Sequence, residues 1–68
     1  MIYHKYSITC EDSTGKIIGL IIYVRTPDIL TVVEYVEATK GCTIHGLLIV
    51  EERLDKAPIE TASTIILP

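Results

Sequence analysis

Residues 17–41, IIGLIIYVRTPDILTVVEYVEATKG, change their hydrophobic period once, and that change decides the fold. Over Ile17–Val24 the apolar residues fill both parities. Ile18, Leu20, Ile22 and Val24 occupy one face of a strand, and Ile17, Ile21 and Tyr23 the other. A strand that is apolar on both faces is normally covered on both. After Thr26-Pro27-Asp28 the spacing becomes helical. Ile29, Val32, Val33 and Val36 form one stripe, with Thr31, Glu34 and Ala38 pointing away. Thr26 is the expected cap, Pro27 suits the first helical position, and Asp28 suits the positive end of the dipole. Lys40 and Gly41 supply a basic last turn and a left-handed stop. The β-branched content makes this helix weak by itself, so it needs a sheet to dock on.

Working outward, residues 2–11 alternate. Ile2, His4, Tyr6, Ile8 and Cys10 share one face, and Tyr3, Lys5, Ser7, Thr9 and Glu11 the other. The turn at 11–16, with Gly15, joins this strand to the next as a hairpin. A third strand is expected over 42–53. There Cys42, Ile44, Gly46, Leu48 and Val50 share one face, and Thr43, His45, Leu47 and Ile49 the other. Residues 54–60 read as a loop and 62–67 as a short last strand. The expectation is a single α+β domain over 1–68, of order β-β-α-β-β, with one helix packed on one face of a four-stranded mixed sheet. The helix provides a right-handed crossover between parallel second and third strands. Placing the doubly apolar strands centrally favours the order 1-2-3-4, with 2-1-3-4 as the alternative.

Composition agrees with a β-rich chain. Twelve Ile, 5 Val and 8 Thr make 25 of the 68 residues, and such side chains fit a pleated surface. An apolar fraction of 49% and a mean hydropathy of +0.41 argue against disorder. A net charge of -3 argues against a general nucleic-acid binder, which needs a cationic surface. The longest apolar run is the eight residues of Ile17–Val24, far short of the roughly 18 a membrane span needs. Two cysteines are too few for a disulfide scaffold, and no secretory signal is expected, since no charged segment followed by an apolar one is visible at residues 1–16. The expectation is a cytoplasmic protein with free, buried thiols.

Motifs for chemistry are weak. Ser13-Thr14-Gly15-Lys16 resembles the end of a phosphate loop, but Cys10 stands where the first Gly belongs and Ile17 follows the Lys. His4 and Cys10 lie roughly 20 Å apart along one strand and cannot share a metal. Cys42 and His45 point to opposite faces of a regular strand, and Cys42 follows the negative end of the helix, which works against a thiolate. Glu51 and Glu52 diverge, and Glu34 and Glu37 lie on a solvated helix face. No catalytic residue, metal site or cofactor is expected.

One helix covers one sheet face. The other is expected to expose Ile17, Ile21, Tyr23, Leu47 and Ile49, with Tyr3 and His45 nearby. A contiguous apolar patch of this kind marks an association surface. The expected function is therefore that of a small non-enzymatic interaction module, a homodimer joined through this face, the alternative being a curled sheet with the final strand or loop folded across it. Glu34, Tyr35, Glu37 and Ala38 on the helix are candidates for meeting a different protein. Two further readings are an acidic inhibitor of a nucleic-acid-binding protein, and a small-molecule binder whose site lies at the dimer interface and uses Tyr23, Cys42 or His45. The Ile65-Ile66-Leu67 segment is a possible pairing edge.

Overall fold

The computed structural model describes residues 1–25 and 28–67. Strands β1 (Ile2–Glu11) and β2 (Ile17–Val24) are followed by helix α1 (Ile29–Tyr35), then strands β3 (Thr43–Arg53) and β4 (Thr64–Ile66). A π-helical segment, Val36–Lys40, continues α1 without a break. The architecture is α+β, a four-stranded mixed sheet with one helix in the order β-β-α-β-β.

Asp12 builds the β1–β2 turn. Its Oδ1 accepts from the backbone N–H of Thr14 (2.9 Å) and Lys16 (3.0 Å) and from the Thr14 hydroxyl (2.6 Å). Gly15 supplies a φ of 85°, which a side chain would oppose. At the helix start the cap is Asp28, one carboxylate oxygen accepting the Thr31 N–H and the other the Thr31 hydroxyl. The capping role expected of Thr26 and the helical position expected of Pro27 lie outside the described residues. Gly41, in the left-handed region at φ 64°, ends the helical segment as expected.

The sheet order is β3-β1-β2-β4, which corrects both orders expected from the sequence. β1 is central and antiparallel to β2 and β3, so those two run parallel with β1 between them. β4 adds parallel to the outer side of β2. Expecting doubly apolar strands at the centre undervalued the core face of β1, where Tyr6, Ile8 and Cys10 are all buried. Around them pack Leu20, Ile22 and Val24 of β2, Val32 and Val36 of the helical segment, Cys42 and Ile65. Fully burying an aliphatic such as Ile22 or Val32 contributes roughly 1.5–3 kcal/mol, which secures a helix of poor intrinsic propensity.

The two crossovers run in opposite lateral directions. From β2 to β3 the chain passes β1 one way, and from β3 to β4 it returns across the whole sheet. The right-handed rule then sends the 54–63 return over the face away from the helix. Burial supports this route, for Tyr3 and Tyr23 belong to that far face and are only 5% and 9% exposed.

Candidate functional site

The register builds the far face in rows. Leu48, Ser7, Ile21 and Thr64 make one row across the four strands, and Val50, Lys5, Tyr23 and Ile66 the next. Gly46, Thr9 and Gly19 follow on the other side of the first row, and then Thr43, Glu11 and Ile17. A polar spine along β1 thus runs between two apolar borders. Beside Thr9 both neighbours are glycine, and a Cβ added at Gly19 would meet nothing within 4 Å. The spine has no flanking side chains there.

A β-bulge changes which β3 residues reach this face. Thr9 pairs with Gly46 but Cys10 pairs with Ile44, leaving His45 unpaired. Beyond the extra residue the alternation is shifted by one. Leu47 and Ile49 therefore stand beside Ile8 and Tyr6 on the helix side, and Leu48 and Val50 stand on the far face. This corrects the expected placement of all four. The signal that could have revealed it is Gly46 inside an apolar strand, the residue type that marks bulges.

Of the five residues expected on the open face, Ile17 is there and 56% exposed, and Ile21 is there and half-buried. Tyr23 is on the face but enclosed within the chain. Its ring meets that of Tyr3 edge-on, centroids 5.9 Å apart, and Arg25 lies over the Tyr3 ring at 5.3 Å. Such contacts add to the area the rings bury. Leu47 packs half-buried against the core. Ile49 is exposed although it faces the helix side. The exposed aliphatics gather on β3 instead, where Leu48, Ile49 and Val50 are 63%, 44% and 45% exposed on alternate faces.

On the helical segment Glu34, Glu37 and Ala38 are exposed, whereas Tyr35 is half-buried and packs against the core. Only part of it is left to stand beside the two glutamates, less than expected. The last strand differs too: Ile65 is buried and β4 has only three residues, a poor pairing edge.

The polar groups are engaged locally. His45 Nε2 lies 3.0 Å from a Glu11 carboxylate oxygen, and Lys5 Nζ lies 3.7 Å from Glu52. Cys10 and Cys42 are free and buried. Cys42 Sγ lies 3.4 Å from the Lys40 carbonyl. Burial, followed by the neighbouring Cys42 thiol and the charge of Asp12, pushes the Cys10 thiol up, which favours its neutral form. Among the described residues no three His, Cys, Asp or Glu are grouped to hold a metal ion, and no helix is long and apolar enough to cross a membrane. No family model, curated protein or solved structure matches the chain.

Proposed function

We propose that this protein works by association rather than catalysis, as a small interaction module whose first partner is a second copy of itself. The observation that carries this reading is the exposed run Leu48-Ile49-Val50 on β3. Three consecutive large aliphatics in solvent, with Ile17 as a further one on the far face, leave apolar area that a partner surface would remove from water. Of the residues expected at the interface, Ile17 and Ile49 stay exposed, Ile21 and Leu47 are half-buried and Tyr23 is lost to the chain's own packing, while Leu48 and Val50 add exposed aliphatic area beside Ile49 on β3. Glu34, Glu37 and Ala38 remain outward in such a dimer and offer an acidic strip to a different protein.

Light scattering on the purified protein over a dilution series tests the reading. A mass near twice 7.6 kDa that falls toward 7.6 kDa on dilution is expected. A constant mass of 7.6 kDa at every concentration overturns it.

A further inference from the structure

We infer that two copies join through the outer edge of β3, antiparallel and centred on Leu48, to make one continuous eight-stranded sheet. The inference rests on the association reading above and specifies its surface and register.

Three observations favour an edge over a face. First, β3 is paired on one side only, by β1, over the eleven residues Thr43–Arg53. Its outward N–H and C=O groups form a long row available for pairing. The opposite edge, β4, has three residues, and short edge strands are a common protection against pairing. Past the bulge at His45, the stretch Gly46–Val50 contains no Pro, Lys or Arg, residues that commonly guard an edge. Second, the exposed aliphatics of β3 lie on both faces of the sheet, Ile49 toward the helix and Leu48 and Val50 away from it. Sheet-on-sheet packing would cover only one of these sets. A strand added alongside covers both, because it brings side chains to both faces. Third, pairing along the edge gives the outward backbone groups of β3 partners that face-to-face packing does not supply. β3 is an edge in one copy and becomes an interior strand in two.

The register follows from the same side chains. Across a two-fold axis normal to the sheet, residues facing each other share a face, and one residue faces its own copy. Centring on Leu48 sets Leu47 against Ile49 on the helix side and Gly46 against Val50 on the far side. Centring on Ile49 would set Leu47 against Glu51. Centring on Val50 would set Ile49 against Glu51 and Leu48 against Glu52. Only the Leu48 register gives each of the four aliphatics an apolar or glycine neighbour.

Two measurements test this. Amide hydrogen exchange on the unaltered protein reads the edge. The outward amides of Gly46–Val50 should exchange about fivefold more slowly at a protomer concentration about ten times the dissociation constant than at high dilution. A dimer by light scattering in which those amides exchange at the same rate at both concentrations overturns edge pairing while leaving association standing. Constant monomer overturns both readings. Charge swapping reads the register. Leu48→Lys and Leu48→Glu alter an exposed side chain, and each alone should be monomeric because like charges meet across the axis. An equimolar mixture should recover the dimer mass. Single variants that remain dimers, or a mixture that remains monomeric, would overturn the Leu48 register.

Discussion

Three carboxyl and thiol groups give this small domain opposite responses at the two ends of the pH scale. Asp12 and Asp28 are held below the ordinary carboxyl range, first by the hydroxyls of Thr14 and Thr31 and then by backbone N–H groups. Their folded values lie under their unfolded ones. Their contribution is therefore present above the ordinary Asp value of about 3.9 and is lost as pH falls through the folded value. Cys10 behaves inversely. Its folded value is raised, chiefly by burial, so its contribution is complete below the ordinary thiol value of about 8.5 and is lost as pH rises through the folded value. Denaturant midpoints should form a plateau between these limits and decline on both sides. Thr14→Val combined with Thr31→Val should flatten the acid limb, and Cys10→Ala the alkaline one. An acid limb unchanged in the Thr variants would show that other groups control it. Burial sets a different scale of effect. Ile22, fully enclosed at the middle of β2, should cost roughly 2–5 kcal/mol as Ala in urea titration.

At the scale of elements, the helical segment ends on backbone geometry and the strand β3 turns on one extra residue. Gly41 sits at φ 64°, so Gly41→Ala should cost about 1–2 kcal/mol, a left-handed penalty independent of packing. Gly19→Ala is the matched control, since its φ is not positive and its added methyl has open space. It should lie within about 0.5 kcal/mol of the parent in the same titration. Equal losses at both positions would refute the conformational account. The hairpin, helix and third strand are legible in the sequence because each is written in a local period of two or 3.6. The bulge at His45 is not, for alternation counts residues and cannot see one left out of a ladder. Hence Ile17 and Ile21 were readable as far-face residues, whereas Leu47, Leu48, Ile49 and Val50 needed coordinates. Tyr35 misled for a related reason: its neighbours in sequence are acidic and exposed, but its position on the helix lets the ring fold back onto the core.

For the molecule as a whole, strand order was the least legible feature, because a hydrophobic pattern specifies which face is buried and not which strand lies alongside. β1 gained the centre because it pairs with both of its long neighbours through nearly its full length, from Ile2 opposite Arg53 to Glu11 opposite Ile17. With that order the right-handed rule carries the return from β3 to β4 over the far face, whose burial is divided in two. One part is enclosed by the chain itself, around Tyr3 and Tyr23, and the other, around Leu48, Val50 and Ile17, is left to solvent. The division has a measurable consequence under conditions where the protein is monomeric. Tyr3→Ala should destabilise the lone chain by roughly 3–5 kcal/mol, the cost of removing a buried aromatic. Ile17→Ala, on the same face, should change it by no more than about 0.5 kcal/mol. Tyr3→Phe should retain nearly all the stability, since the hydroxyl has only a 3.9 Å contact with the Met1 sulfur to lose. If Tyr3→Ala were as harmless as Ile17→Ala in dilute monomer, the far face would be open along its whole length, and the return over 54–63 would not be closing it.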